Sequence, residues 1–511
     1  MTSMTSELAG LFDKATHGYH GSQPAVPRSP KLGVFLIALA AFGLELAVSA
    51  RYGYVRDELY FLAAGKHLAF GYVDQPPLTP LLARLGAALT GNTLIGLRLL
   101  PALALAAIVV MTSAMSRLLG ASRTGQLLAA LAAATCGEFL AVAHELTTTT
   151  PDFVFWTLTL LLVTRLLASG NPRWWLAIGA CVGAGIEAKW NIAFLAVSLA
   201  AGFALTPARS LLRSRYLLIG AAIAAALAAP DLIWQAAHGW PNLAVFRALQ
   251  TQAWPNRATY WPGQIVFTGL ALTPIWISGL IWCLRHPQAR AYRPVGIGCA
   301  IAITLQFVLG GKPYYSGAAY TFLLAAGCTW LGLRRSPRRA GLVATAIVVS
   351  AVLVLPAALP VLPARVLHSV PLQKINYDLA ESIAWPRQVA LIAGAYHALP
   401  ASQRRLTTIL AGNYGEAGAI ERYGPGYGLP PVYSGANNFW LWGSPPASAT
   451  SAIAVNLPPA LLRRYFTRVR LVATFWNGLG VSDDEQGARV YLATGRKTPW
   501  LQAWPAFRDY S

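Results

Sequence analysis

KLGVFLIALAAFGLELAVSARYGYVRDE, residues 31–58, decides the fold class of this chain. Its apolar run is long enough to cross a hydrocarbon core of roughly 30 Å as a helix. It ends at Arg51 and gives way almost at once to the charged triplet Arg56, Asp57 and Glu58. A polar leader carrying Pro24, Pro27 and Pro30 precedes the run, and the small residues at its end continue straight into further apolar runs. The segment therefore reads as an uncleaved anchor, not a removed signal peptide. The leader, 1–31, reads as a cytoplasmic N-terminal tail without a core pattern.

Working outward, the same kind of run recurs as far as Pro363 and then stops. Eleven spans are expected, at 32–50, 93–114, 124–142, 151–168, 174–188, 190–206, 216–235, 263–283, 294–310, 317–333 and 341–362. The chain of 511 residues is 55% hydrophobic and only 12% charged, with a mean hydropathy of +0.48. These values exclude a single soluble domain. The expected architecture is a polytopic α-helical membrane module over 32–363, containing a first exported loop at 51–92, followed by an exported α/β domain over 364–511.

A net charge of +21 taken alone suggests a polyanion partner, but the cations are sorted by position. With the N-terminus in the cytoplasm, seventeen Lys and Arg collect in the cytoplasmic segments, whereas most opposite loops hold one or two and the 51–92 loop four. The alternation is that of a multi-pass protein of the cytoplasmic membrane. It places the tail after 364 outside the cytoplasm, and nucleic acid is not an expected partner. The five cysteines lie in or beside spans at irregular spacing, which reads as small core residues, not a disulfide framework or metal site.

The 51–92 loop is too long for a mere connection. DELYFLAAGKHLAF and PPLTPLLARLGAAL are each expected to form a short helix near the interface, joined by the rigid turn GYVDQPP. The 236–262 loop, with Trp240, Trp254, Tyr260 and Trp261, suits an interfacial aromatic belt or stacking against a sugar face, and the belt is the favoured reading. In the tail QVALIAGA, LTTILAG, SAIAVNL, RVRLVATF and ARVYLAT read as strands, and the segment from Pro458 to Tyr465 as a helix. NYGEAGAIERYGPGYG lacks the ordered phosphate-binding patterns and reads as a substrate-facing loop or a close-packed crossover.

Charge near membrane depth is costly, which makes the few such residues informative. Arg56, Asp57 and Glu58, with His67 and Asp74 in the same loop, set a carboxylate beside a cation on the exported face. His144 and Glu145 leave the third span, and Asp152 opens the fourth behind a run of threonines that also suits a helix start. Lys189 in GIEAKWN and Lys312 in GKPYYSGAAY lie on the same face, Lys312 beside Tyr314 and Tyr315. Asp231 is a weaker member of the group. No zinc-peptidase or serine-hydrolase motif occurs.

RDELYFLAAGKHLAFGYVDQPPL, TTPDFVFW, GAGIEAKWN and GKPYY resemble the protein mannosyltransferase and aminoarabinose transferase superfamily, polytopic glycosyltransferases of the GT-C type. NYGEAGAI and LPPVYSGANNFWLWG are similar to bacterial members, and the resemblance spans most of the chain. GKPYYSGAAY departs from the prolines usual later in its motif. The resemblance implies sugar transfer from a polyprenyl-phosphate donor to a lipid, glycan or protein acceptor at the outer face, among membrane lipids. It places Asp57, with Glu58 beside it, at the reaction centre, Asp152 at a second acidic position, and Lys189 and Lys312 at recurrent basic positions.

The chemistry suits these residue types. A lipid phosphate leaves as a stable anion, whereas an acceptor hydroxyl must lose its proton as charge develops at the sugar carbon. Asp57 is the expected base, Glu58 and Asp152 orienting or alternative acids, and Arg56, Lys189 and Lys312 the donor-phosphate ligands. Single displacement with inversion is expected, with no required cofactor. A divalent cation held by Asp57, Glu58 and Asp152 is the alternative way to neutralise phosphate. The rival functions are a lipid-linked substrate transporter or flippase and a noncatalytic polymer-binding envelope protein.

Overall fold

The computed structural model describes residues 29–333 and 337–510; the leader up to residue 28 and Arg334 and Arg335 lie outside them. Among the described residues six helices are each long and apolar enough to cross a membrane: α1 (Lys31–Val48), the helix Leu94–Leu118, and those at Thr149–Ser169, Arg215–Ala237, Pro287–Leu309 and Arg338–Ala358. Three bent pairs raise the candidate spans to nine among the described residues.

The structure does not confirm eleven spans. The stretches expected at 174–188 and 317–333 form apolar helices of 13 and 15 residues, which at 1.5 Å per residue fall short of a 30 Å core. The stretch at 263–283 is not one rod either. It breaks by 104° between Pro241–Thr268 and Leu272–Arg285, where Gly269 takes a φ of +104°. The 124–142 stretch bends by 52° between Arg123–Ala134 and Gly137–His144.

Helix contacts in this module depend on small residues. Gly183 of Trp174–Ile186 lies against Ala224, where an added Cβ would come within 2.8 Å of backbone. Such close approach replaces the hydrophobic drive that lipid does not provide. All five cysteines are buried and unpaired.

The first exported loop folds as expected into α2 (Arg56–Lys66) and α3 (Leu78–Thr90). Leu81, Leu85 and Leu89 form an exposed apolar stripe on α3, as a helix lying at a membrane interface requires. The 236–262 segment is largely helical, with a helix at Pro241–Leu249 and the next from Ala253. Trp254 and Trp261 are exposed as a belt requires, but Tyr260 is fully buried. Its hydroxyl donates to the Ile303 carbonyl at 2.7 Å and meets Ser316 at 2.8 Å.

The tail carries a five-stranded sheet in the order β2-β1-β3-β5-β4. The strands are β1 (Thr407–Ala411), β2 (Val432–Ser434), β3 (Ser451–Val455), β4 (Phe466–Thr474) and β5 (Arg489–Arg496). β1 runs parallel to β2 and β3, while β5 runs antiparallel to β3 and β4. The helix Pro459–Tyr465 matches its expectation. QVALIAGA does not form a strand. It lies in the helix Trp385–His397, opened by Pro386, with Trp385, Gln388, Val389, Ile392 and Ala393 buried, a spacing of three and four that fits a helix face. β2 takes its place in the sheet.

NYGEAGAI is the start of α4 (Tyr414–Tyr423), closed by a capping box in which Asn413 accepts from Glu416 N–H and the Glu416 carboxylate accepts from Asn413 N–H. Its glycines serve packing. A Cβ on Gly418 would lie 2.8 Å from the backbone of Leu59, and one on Gly415 would strike the Arg56 side chain. α2 and α4 therefore meet almost backbone to backbone. Leu59, Tyr60 and Phe61 share one buried cluster with Ala417, Ile420, Ile409 and Ile453, so the first exported loop is cored jointly with the sheet.

Candidate active site

α2 positions the charged triplet. Its first turn is closed by Glu58, whose Oε2 accepts from Val55 N–H at 3.0 Å. The same carboxylate takes Arg98 Nε at 2.9 Å, Arg98 Nη2 at 2.7 Å and Leu146 N–H at 3.1 Å. Arg98 also donates to the carbonyls of Ser49 and Gly53 and meets His144 Nε2 at 3.0 Å, while His144 Nδ1 lies 3.4 Å from Glu45. Both oxygens of Glu58 are thus engaged in a buried bidentate pair. Glu58 and His144 brace the end of the first span, the loop and the third span. Sequence reasoning missed Arg98 because it lies inside an apolar run that is otherwise a plain span.

Asp57 faces the other way. Its Oδ1 accepts from the Tyr414 hydroxyl at 3.0 Å, a contact from α4 across more than 350 residues of chain. Arg56 does not sit free for a phosphate. Its Nη1 lies 3.0 Å from Asp484 and 3.5 Å from Glu381, and its guanidinium stacks 5.7 Å over Tyr377 and 5.4 Å over Tyr414. In this arrangement its charge is neutralised, so it fixes Tyr414 and the tail against α2.

The two lysines approach the same pair of tyrosines. Lys189 Nζ donates to Thr149 Oγ1 at 2.9 Å and lies 4.4 Å over the Tyr315 ring and 5.7 Å over Tyr314. Lys312 lies 5.8 Å over the Tyr314 ring. Burial, and then the Lys312 charge, depress the Lys189 ammonium, and Asp152 and Asp57 oppose that shift. Asp152 accepts from Asn191 Nδ2 at 2.9 Å, so TTPDF delivers its carboxylate to the lysine side. The threonines do not cap this helix through Thr148; Thr150 donates instead to the Val142 and Glu145 carbonyls. Pro313, Tyr314 and Tyr315 of GKPYY form a short 3₁₀ turn, Pro313–Ser316, that precedes the next helix at Ala319.

Glu145 meets a residue the sequence reading passed over, Asp378, in the segment leading to the sheet. Burial raises both carboxyl groups, Glu145 well above the usual range, with repulsion from Asp378 adding to it; for Asp378 the next cause is the Asp57 charge. Like charges at neighbouring buried carboxyls favour keeping one of them protonated. A small cavity lined by Val55, His144, Glu145, Asp378 and Ser382 lies beside them. Asp74 accepts from the Tyr60 hydroxyl at 2.8 Å and Asn437 Nδ2 at 3.3 Å, and burial pushes it up to about 7. His67 is exposed and stacks on Trp442 at 4.6 Å, apart from these contacts. Asp231 accepts from Trp190 Nε1 at 2.7 Å.

Asp57, Glu58 and Asp152 have separate partners. Glu58 is committed to Arg98, Asp152 faces Asn191 and Lys189, and no cluster of three or more acidic, His or Cys side chains suited to a metal occurs among the described residues.

The arrangement joins membrane helices, two short exported helices and a terminal α/β domain around one carboxylate and two lysines. A solved structure of ArnT from Cupriavidus metallidurans bound to undecaprenyl phosphate superposes with a TM-score of 0.58, covering 90% of this chain and 97% of that one at 17% identity. The chain has the ArnT fold. The apo form of ArnT gives a TM-score of 0.57 over the same shares at 16% identity. Residues 74–234 match the family model described as dolichyl-phosphate-mannose-protein mannosyltransferase, a segment that contains Asp74, Asp152 and Lys189. No curated protein sequence matches the chain. A match over 90% of this chain reaches beyond the membrane module into the terminal domain.

Proposed function

We propose that this protein transfers a sugar from a polyprenyl-phosphate-linked donor to a lipid, glycan or protein acceptor at the outer face of the cytoplasmic membrane. The observation that carries the reading is the placement of Asp57 on Tyr414 within electrostatic reach of Lys189 and its tyrosine-lined neighbour Lys312. The ArnT fold, seen elsewhere with undecaprenyl phosphate bound, supports the donor class. The sorting of Lys and Arg supports the orientation, with the sheet domain outside the cytoplasm.

Each group has a role matched to its chemistry. Lys189 and Lys312 hold the donor phosphate and stabilise it as the carbon–oxygen bond to the sugar breaks. Tyr314 and Tyr315 fix the lysine heads and limit water around them. Asp57 takes the acceptor proton as the hydroxyl attacks from the opposite face, which gives inversion at the sugar carbon. Tyr414 orients that carboxylate. Arg56, Glu58 and Arg98 position it without touching substrate.

The test uses purified protein in lipid nanodiscs with labelled polyprenyl-phosphate sugars and a cell-envelope acceptor extract, beside Asp57→Asn. Transfer by the native protein, its loss in the variant, and an inverted product by NMR support the reading. Donor binding without any transfer, with donors and acceptors that the native membrane is shown to use, overturns it.

A further inference from the structure

A groove of about 460 Å³ lies between the membrane module and the exported domain and shares no lining residue with the cavity beside Glu145. Its size falls in the range of small-ligand sites. Trp240 and Arg247 line it from one side, and Trp440, Arg508 and Tyr510 from the other.

The aromatic walls are held in place. Trp440 Nε1 donates to the Trp504 carbonyl at 3.2 Å, and Trp504 Nε1 returns a bond to the Trp440 carbonyl at 3.1 Å. The Arg508 guanidinium lies 5.3 Å over Trp440 and 5.4 Å over Tyr510. Trp240 has a φ of +58°, rare for so large a side chain. It is fixed by a 2.7 Å bond from its N–H to the Gln235 carbonyl and by Pro241 after it. Strain maintained in this way is characteristic of ligand sites.

The charge is one-sided. No Asp or Glu lines the groove, and neither Arg247 nor Arg508 takes part in an ion pair among the described residues. Flat aromatic faces suit the C–H faces of a sugar ring, and guanidinium forks suit carboxylate or phosphate oxygens. A lipid tail has no use for the arginines, and a bare phosphate none for the tryptophans.

The groove is tied to the reaction centre through the short helix α5 (Asn437–Leu441), which carries Trp440. On the same helix Asn438 Oδ1 accepts from Val73 N–H at 2.6 Å and lies 3.3 Å from the Tyr60 hydroxyl. The Tyr60 ring lies 5.0 Å from Tyr414, whose hydroxyl holds Asp57. From these observations we infer that the groove binds a negatively charged saccharide portion of the acceptor, a role that rests on the glycosyl-transfer reading.

The experiment titrates trigalacturonate into the full chain in phosphatidylcholine nanodiscs and follows tryptophan fluorescence, with maltotriose and inorganic phosphate as controls. Saturable binding of trigalacturonate, weakened about tenfold or more by Arg508→Gln and by Arg247→Gln, is the expected result. Asp57→Asn binds like the native protein, because binding is read without turnover; this separates failure of the groove from failure of the enzyme reading. Equal binding of maltotriose overturns the charge requirement, and equally tight phosphate overturns the saccharide. Suppression of binding in phosphatidylglycerol nanodiscs assigns the groove to a lipid headgroup and overturns the proposal. Thermal unfolding midpoints check the folding of each variant, and Arg508→Lys, which keeps charge and stem but loses the fork, replaces Arg508→Gln if that variant is unstable.

Discussion

Asp57 and Glu58 are neighbours in sequence with opposite employment. Glu58 turns inward to a buried arginine; Asp57 turns toward the lysines and Tyr414. Asp57→Asn, which keeps shape and loses basicity, is expected to lower kcat by roughly a hundredfold to ten-thousandfold while leaving donor KM nearly unchanged in steady-state assays. Lys189→Met is expected to raise donor KM in the same assay. Asp74 gives a pH signature. Its folded value of about 7 exceeds the unfolded value of about 3.9, so folding favours the protonated form. The stability this contributes is complete below the unfolded value and is lost as pH rises through 7. Thermal unfolding midpoints are expected to fall between pH 5 and pH 8, and less so in Asp74→Asn. The sequence exposed these residues because charge is scarce in this chain, but it could not separate a buried strut from a reacting group one position away.

α2 is set by what packs on each of its faces. Arg98 crosses from the helix Leu94–Leu118 to Glu58, and α4 closes on the opposite side through Gly415 and Gly418. Removing one partner of a buried pair leaves the other charge stranded, so Arg98→Met is expected to cost about 3–5 kcal/mol, read as a lower unfolding midpoint. Gly418→Val is expected to destabilise by about 1–3 kcal/mol through forced separation of α2 and α4 and to depress activity by moving Tyr414 away from Asp57. The helical pattern of α2 and α3 was legible because caps, prolines and apolar spacing are local. QVALIAGA was misread because a short run of Val, Leu, Ile and Ala suits a strand and a helix alike, and only its buried face, repeating at three and four, decides.

The whole molecule joins two parts that composition separates. A chain ending at Pro363 is expected to insert its spans yet lose sugar transfer, with the 51–92 loop cut by trypsin at Arg56 or Lys66 where the full chain resists. Limited proteolysis in proteoliposomes checks this. The membrane module, the exported tail and the two-helix first loop followed from the sequence alone, because hydrocarbon requires long apolar helices and sorts the cations between its two faces. The scarcity of charge likewise brought Asp57, Asp152, Lys189 and Lys312 forward. Tertiary structure alone decided the broken and shortened spans, the neutralisation of Arg56 by Asp484 and Glu381, the pairing of Glu145 with Asp378, and the arrival of Tyr414 at Asp57. Those contacts join residues far apart in the chain, and burial and hydrogen bonding at such distances leave no periodic trace in the sequence that supplies them.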